Sequence, residues 1–204
     1  MKSTSATKSP QATRKRILDA AFAEFYRHGF QGGSLNQIVE AAGTTKGALF
    51  HHFAGKQELG YAVVDEVIAP VLEQRWLAPI ESADDPISGM QRAFRHFAKQ
   101  DAKSDHLAQG CPLNNLAQEM SPLDQGFRAR IDKLYTLWRE RYANAIEAGI
   151  KAGKVRKDVS ARKVASLLVA TQMGIWGTGK SSQSDTLMIE ACDALCGYLE
   201  SLRC

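Results

Sequence analysis

The chain has 204 residues, of which 44% are hydrophobic and 24% are charged, as is typical of a globular protein. No apolar run approaches the length of about 18 residues that a membrane-spanning helix needs, and the basic N-terminus lacks the apolar segment of a secretory signal. The four cysteines show no disulfide-framework spacing, which indicates a reducing compartment; they are Cys111, Cys192, Cys196 and Cys204. These features predict a cytoplasmic protein without a membrane partner.

Positive charge is concentrated at the N-terminal end of the chain. Residues 1–60 contain eight of the 26 Lys and Arg residues but only four of the 22 Asp and Glu residues, so the rest of the chain is electrically balanced. Such an excess is typical of a region that binds a polyanion such as nucleic acid. It fits a solvated basic tail equally well, and charge alone leaves both interpretations open.

The first predicted element is a flexible arm over residues 1–12, where Ser, Thr, Lys and Gln dominate and large apolar side chains are lacking. Thr13 stands at an N-cap position before residues 14–28, whose apolar side chains recur at helical spacing. Gly29 is expected to end this helix, because glycine is the usual residue beyond a helix C-terminus.

Two short helices are predicted next. Ser34 begins the first helix, which stops at Gly43, and Thr44 or Thr45 caps the second helix, which covers residues 46–53. Two short helices joined by a tight turn that contains glycine are typical of a helix-turn-helix motif. The second helix of such a motif lies in the major groove of DNA.

The remainder of the chain is predicted to be helical throughout. A longer helix covers residues 56–76, and Pro70 is expected to kink it or to end it early. Further helices follow at residues 85–103, 111–120, 124–153, 160–177 and 184–201. About nine helices and no strands predict an all-α fold.

One pattern of residues spans the N-terminal region: Arg16-Ile17-Leu18-Asp19-Ala20-Ala21, Phe25, Gly29-Phe30, Ile38, Ala41, Gly43, Lys46-Gly47-Ala48-Leu49-Phe50-His51-His52-Phe53, Lys56 and Leu59. This pattern resembles the DNA-binding domain of TetR-family transcriptional regulators. The resemblance implies a helix-turn-helix DNA-binding domain over residues 13–59. It implies a helical regulatory and dimerisation domain over residues 60–204.

The resemblance also implies which residues contact DNA. The family's contact positions correspond here to Thr44, Thr45, Lys46, Phe50, His51 and Lys56. Gly47 joins this set because a residue without a side chain lets the backbone approach DNA closely. Phe50 stands where the family usually has a tyrosine whose hydroxyl contacts a phosphate, so we expect that contact to be lost and Phe50 to pack.

The resemblance implies a homodimer joined mainly through the last two helices, and the regulatory half is expected to bind a small-molecule effector. The expected pocket residues are Cys111, Trp138, Met173 and Trp176. The residues suited to a dimer interface are Ala165, Leu167, Leu168, Ala170, Gly174, Ile175, Gly177, Leu187, Leu195 and Leu199, which fit a monomer core as well. Cys192 and Cys196 are four residues apart, which allows a metal site but favours two buried apolar side chains.

Cys111 carries two further hypotheses. It precedes a predicted helix, where the helix dipole would favour the thiolate and make the residue a sensor of reactive electrophiles. It also fits a plain packing role beside the pocket.

An all-helical enzyme that uses Cys111 with His106 as its base is a rival function, and a helical protein adaptor is another. Neither rival explains the charge asymmetry or the helix-turn-helix pattern. The sequence therefore predicts a ligand-responsive repressor of a pseudo-palindromic DNA operator, with no enzymatic activity, no cofactor and no bound metal.

Overall fold

The computed structural model describes residues 9–204, apart from the side chain of Asp105. Within this range the chain is helical, and its only β feature is an isolated antiparallel bridge between Val155 and Arg203. The prediction of an all-α fold is therefore confirmed. None of the described helices combines the length and the apolar character that crossing a membrane requires.

The helices of the first sixty residues are α1 (Pro10–Gly32), α2 (Leu35–Ala41), α3 (Lys46–His52) and α4 (Lys56–Val63). After α4 the helical backbone continues through a π-helical segment (Val64–Ile68), α5 (Ala69–Leu72), a second π-helical segment (Glu73–Leu77) and α6 (Ala78–Glu81). The remaining helices are α7 (Pro86–Ala102), α8 (Asp105–Gln109), α9 (Pro112–Met120), α10 (Gln125–Lys151), α11 (Ala161–Ser182) and α12 (Asp185–Glu200).

Helix α1 begins earlier than predicted. Its N-cap is Ser9, whose hydroxyl accepts a hydrogen bond from the amide of Ala12 at 3.2 Å, and Pro10 occupies the first helical position. Proline suits that position because the amide it lacks would be unpaired there. Residues 10–12 therefore belong to the helix and Ser9 caps it, whereas residues 1–8 of the predicted arm lie outside the described residues. Gly29, with a φ of 75°, breaks the helical geometry where a helix end was predicted.

The helix-turn-helix forms as predicted. Ser34 caps α2 and Thr45 caps α3, where the Thr45 hydroxyl accepts a hydrogen bond from the amide of Ala48 at 3.2 Å. Gly43 lies in the turn between them with a φ of 57°, a conformation that a residue with a Cβ adopts only at a cost. Its environment leaves room for a side chain, so the turn needs glycine for its backbone and not for space.

Pro70 does not end the helix that contains it. Helical backbone extends from Lys56 to Glu81, and the π-helical segment Val64–Ile68 ends two residues before Pro70. A proline inside a helix clashes with the carbonyl of the residue four positions earlier, which is Glu66. The wider π-helical turn offers space at that carbonyl, and we attribute the persistence of the helix to it.

The chain divides into two compact units, one that ends at Ile68 and one that covers Ala69–Cys204. In the first unit α1 packs against α2, α3 and α4 around Ile17, Ile38 and Leu49, all fully buried. In the second unit α7 packs against α12, and α10 and α12 pack against α11. The division falls later than the predicted boundary at residue 59 because α4 packs on α1.

Candidate nucleic-acid interface and regulatory core

Helix α3 has one buried face and one exposed face. Leu49 and Phe53 are buried and attach the helix to the rest of its unit. Its exposed residues are Lys46, Gly47, Phe50 and His51, preceded by exposed Thr45 and half-buried Thr44. The structure thus brings the predicted α3 contacts together on one surface, which we call the α3 face.

Phe50 does not pack, contrary to our expectation. Its side chain is 52% exposed, whereas Leu49 beside it is fully buried. Consecutive helical residues point about 100° apart, so the residue next to the buried Leu49 turns away from the core. The ring therefore belongs to the α3 face.

Lys56 is held in place by two contacts. Its Nζ donates a hydrogen bond to the carbonyl of Gln31 at 2.9 Å, and it lies 5.1 Å from the centre of the Phe30 ring. An ammonium group has three donors, so this bond leaves capacity for a phosphate oxygen. Because its position is fixed before any ligand arrives, Lys56 loses little side-chain entropy on binding.

Arg14 forms an ion pair within the first unit, which a count of charges along the sequence does not reveal. Its guanidinium forms two hydrogen bonds with the carboxylate of Glu66, one of them at 2.6 Å, and lies 4.9 Å from the centre of the Phe53 ring. These hydrogen bonds raise the pKa of Arg14 and lower that of Glu66. Lys15 is likewise paired with Asp19 at 2.7 Å. Much of the basic character of α1 is therefore neutralised internally, while Lys46 stays on the exposed α3 face.

Comparisons with known proteins agree with this geometry. The family model "Bacterial regulatory proteins, tetR family" matches residues 17–63, and "Tetracyclin repressor-like, C-terminal domain" matches residues 89–195. The chain belongs to the TetR family. It is therefore a DNA-binding transcriptional regulator with a helix-turn-helix motif.

Individual relatives share this description. The HTH-type transcriptional repressor DhaR of Mycobacterium sp. (strain GP1) is 26% identical over 161 residues, which are 79% of each chain. The HTH-type transcriptional regulator LmrA of Bacillus subtilis (strain 168) is 30% identical over 131 residues, 64% of this chain and 69% of LmrA. A crystal structure of a TetR transcriptional regulator from Chloroflexus aurantiacus J-10-fl is 27% identical, with a TM-score of 0.83 over 93% of this chain and 95% of that chain.

The second unit contains a cluster of aromatic side chains around Trp76. The ring of Trp76 contacts Trp176 at 5.2 Å and Trp138 at 6.1 Å between centroids, and it also contacts Phe94 and Phe97. Of the four predicted pocket residues, Trp138 and Trp176 thus lie together, both buried. Met173 lines a separate open groove with Asn114 and other residues.

A buried ion pair adjoins this aromatic cluster. Asp101 is 2% exposed, and its Oδ2 accepts hydrogen bonds from the guanidinium of Arg75 and from Nε1 of Trp176, the latter at 2.7 Å. Arg75 also lies 4.2 Å from the centre of the Phe97 ring. The second oxygen of Asp101 has no hydrogen-bond partner among the described residues. Arg75 and Asp101 are not predicted as site residues from the sequence, since single charged residues on amphipathic helices usually face water.

Cys111 does not have the acidic thiol that its place before a helix suggested. It is half-buried at the N-cap of α9, and burial raises the pKa of its thiol above the ordinary value. The amides of Asn114 and Leu113 favour the thiolate, but they do not overcome the loss of solvent. The prediction that the position before the helix favours the thiolate of Cys111 is therefore wrong.

The residues suggested for a dimer interface separate into two groups. Five of them, Ala165, Leu168, Ile175, Leu195 and Leu199, are buried in the core of the second unit. Leu167 and Leu187 are 47% and 41% exposed, Ala170 and Gly174 are exposed as well, and Gly177 is half-buried. Only the exposed group is available to a partner.

The remaining cysteine predictions concern packing and metals. The side chains of Cys192 and Cys196 are 1% and 0% exposed, which confirms the interpretation that they are buried apolar residues. Over residues 9–204, the structure contains no group of three His, Cys, Asp or Glu side chains arranged to hold a metal ion.

Proposed function

We propose that the protein is a dimeric repressor that binds a pseudo-palindromic operator in the cytoplasm and leaves it when a small molecule binds the regulatory unit. The observation that carries this proposal is the α3 face, where Lys46, Phe50 and His51 stand exposed on a helix anchored by Leu49. A helix with this combination of anchor and exposed polar surface suits the major groove. Lys56 supplies a phosphate contact beside it.

Dimerisation is supported by the exposed apolar stripe on the last two helices. Leu167, Ala170 and Gly174 recur at the three- and four-residue spacing of one helix face on α11, and Leu187 is exposed on α12. Two copies of such a surface can pack closely because alanine and glycine keep the helices near each other. A two-fold symmetric dimer then requires an operator with two half-sites about 34–36 Å apart, or a multiple of that spacing.

A ligand response is supported by the Arg75–Asp101 pair. Burial of charge is costly, so an ion pair inside an aromatic core indicates a site kept for a purpose other than stability. An effector that binds one arrangement of this unit more tightly shifts the protein towards that arrangement, and DNA affinity changes with it. Trp138 and Trp176 would then form walls of the pocket.

The trigger in this proposal is a non-covalent ligand. A reactive electrophile needs the thiolate, and burial raises the pKa of Cys111, so only a small fraction of this residue is reactive at neutral pH. An electrophile that releases wild-type protein but not Cys111→Ser from DNA would reverse this preference.

The proposal is tested by selection from random-sequence DNA. Repeated binding and amplification with the full chain should enrich a palindromic site, and electrophoretic mobility shifts should show one dimer per site. Expression of a reporter placed behind that site should fall when the protein is present. Enrichment of no sequence, or activation of the reporter, would contradict the proposal.

A further inference from the structure

One carboxylate oxygen of Asp101 is left without a partner in the interior of the second unit. The side chain is 3% exposed, and Arg75 and Trp176 both donate to its Oδ2, whereas Oδ1 accepts no hydrogen bond from any described residue. A buried acceptor without a donor costs free energy, and nearly all such groups in folded proteins are paired. The unpartnered oxygen therefore indicates a donor that a ligand supplies.

Aromatic rings surround this carboxylate and its partners. The guanidinium of Arg75 lies 4.2 Å from the centre of the Phe97 ring and 5.4 Å from that of Trp76, and the Trp176 ring lies edge-on to Trp76 at 5.2 Å. Flat apolar walls of this kind suit the body of an apolar compound, with the few polar groups among them fixing its orientation.

A second polar atom without a partner belongs to the same cluster. Nε1 of Trp138 is buried and forms no hydrogen bond, although the Tyr142 hydroxyl lies near it, and the ring of Trp138 lies 6.1 Å from that of Trp76. Three buried side-chain atoms without a partner occur among residues 9–204, and two of them are these atoms of Asp101 and Trp138. One acceptor and one donor thus remain open in one aromatic cluster.

The ion pair is accessible from the helix that carries Arg75. The Arg75 side chain is 19% exposed, so the pair is not closed off from the surface on that side. Arg75 and Trp76 both belong to the π-helical segment Glu73–Leu77. Such segments are rare and frequently occur at functional sites, which is a separate indication that this cluster binds a ligand.

The charges at the site restrict the ligand further. Among the side chains that the structure describes, Asp101 is the one buried charged residue, and Arg75 balances it. A ligand with a net charge would bring an unbalanced charge into an aromatic enclosure, where the loss of water is costly. An uncharged ligand avoids that cost and can still supply the missing donor.

We infer that the effector is an uncharged, largely apolar compound whose hydroxyl or N–H group donates a hydrogen bond to Oδ1 of Asp101, an inference that rests on the proposed function. Trp76, Phe97 and Trp176 cover the apolar body of the compound. The indole N–H of Trp138 is available to an acceptor on the same compound.

Three compounds with the same ring test this chemistry on the full chain without DNA. They are p-cresol, its methyl ether p-methylanisole, and the carboxylate p-toluate. Isothermal titration calorimetry at neutral pH should give millimolar binding of p-cresol and about tenfold weaker binding of the ether, because the ether has no donor for the carboxylate. The carboxylate p-toluate should bind more weakly than either.

Tryptophan fluorescence shows where these compounds bind. The chain has three tryptophans, Trp76, Trp138 and Trp176, and all three belong to this cluster. Binding at the proposed site should therefore change the emission over the same concentration range that calorimetry gives. Binding of p-cresol without a change in emission would place the compound elsewhere and would contradict the inference.

Asp101→Asn should change the preference in a specific way. Arg75 and Trp176 are donors, so they hold the amide oxygen, and Nδ2 then presents a donor where Oδ1 presented an acceptor. The ether should bind within about twofold of p-cresol, since both can accept from Nδ2. The affinity for p-toluate should rise about tenfold, because Arg75 has lost its counter-charge.

A control separates these effects from a general loss of charge. Asp193→Asn removes an exposed carboxylate that accepts a hydrogen bond from Arg95 at 3.2 Å, and it should leave all three affinities unchanged. Circular dichroism checks that both variants fold. If Asp101→Asn does not fold, the comparison of the three compounds on wild-type protein decides alone.

Four results would overturn the inference. They are no binding of p-cresol at millimolar concentration, equal binding of p-cresol and its ether to wild type, tighter binding of p-toluate than of p-cresol to wild type, and an unchanged order of the three compounds in folded Asp101→Asn. None of them affects the proposed repressor, because no DNA is present. Failure to enrich an operator would overturn the repressor and leave these binding results readable.

Discussion

The two units use the same kinds of residues in opposite ways. In the first unit most candidate functional groups are exposed, and an Arg–carboxylate pair, Arg14–Glu66, lies at the surface with side chains 36% and 42% exposed. In the second unit the comparable pair, Arg75–Asp101, is enclosed, with Asp101 3% exposed at its side chain. A surface that meets DNA must present charge, whereas a regulatory core can retain charge only where partners compensate for the lost water. The difference teaches that the first unit keeps its charged groups at the surface, where DNA can contact them, whereas the second unit encloses a charged pair in its core.

The largest expected effect tests whether the exposed charges of the first unit bind DNA. If the operator complex of a dimer neutralises about six to ten phosphates, its affinity should fall by roughly three to five orders of magnitude between 50 and 200 mM salt. Fluorescence anisotropy with the selected operator measures this slope. A slope near zero would show that the N-terminal unit does not bind DNA through its charges.

Disruption of the proposed dimer comes next. Leu167→Asp places a charge on the exposed stripe of α11 and should convert the dimer to monomers at micromolar concentration, because a charge loses its water in a closed interface. Analytical ultracentrifugation measures the mass of the species. Leu123→Asp is the matched control, since Leu123 is 63% exposed outside the stripe and this change should leave the dimer intact. A monomeric wild-type protein would contradict the interface.

The two ion pairs should differ in their contribution to stability. Asp101→Ala leaves the Arg75 guanidinium and Trp176 Nε1 without their acceptor, and it should lower the free energy of unfolding by about 3 kcal/mol. Glu66→Ala removes the acceptor of the exposed pair and should cost below about 1 kcal/mol. Urea denaturation followed by circular dichroism gives both values. Equal losses would remove the contrast between the units.

The smallest effect concerns Cys111. Because burial raises the pKa of its thiol, the thiolate fraction at neutral pH is lower than for a free cysteine, and alkylation should be slow and should accelerate as the pH rises above the ordinary cysteine range. The exposed Cys204 is the internal reference, and it should react first with iodoacetamide at pH 7. Peptide mass spectrometry follows both sites. Faster modification of Cys111 than of Cys204 would restore the electrophile-sensor hypothesis.

The sequence predicted the first unit more closely than the second. Glycine at the turn, cap residues before each helix and a run of exposed polar residues are local signals, so α2, α3 and their turn were placed to within a residue or two. The earlier start of α1 was also readable, since Ser9-Pro10 is a cap followed by a first-turn proline. The exposure of the Phe50 side chain and the contacts of Lys56 could not be predicted from the sequence, because both depend on which face of the helix is buried.

The regulatory unit depends on contacts between residues far apart in the chain. Arg75, Asp101 and Trp176 belong to three different helical segments, and no spacing along the sequence links them. Trp138 and Trp176 were predicted as aromatic residues of the regulatory half, and Met173 was predicted with them as a methionine, although it lines another groove. Helical periodicity separates a buried face from an exposed face, but it does not say which buried residues meet.

The ratio of affinity for operator DNA to affinity for random DNA tests the central claim, that the α3 face reads bases while Lys56 holds the backbone. Lys56→Ala should lower both affinities in parallel, because a phosphate carries no sequence. Thr45→Ala should lower the ratio, by about 1–3 kcal/mol for each half-site. Ser34→Ala, which likewise removes a helix cap, should leave the ratio unchanged. If all three variants leave the ratio at its wild-type value, the α3 face does not read the operator.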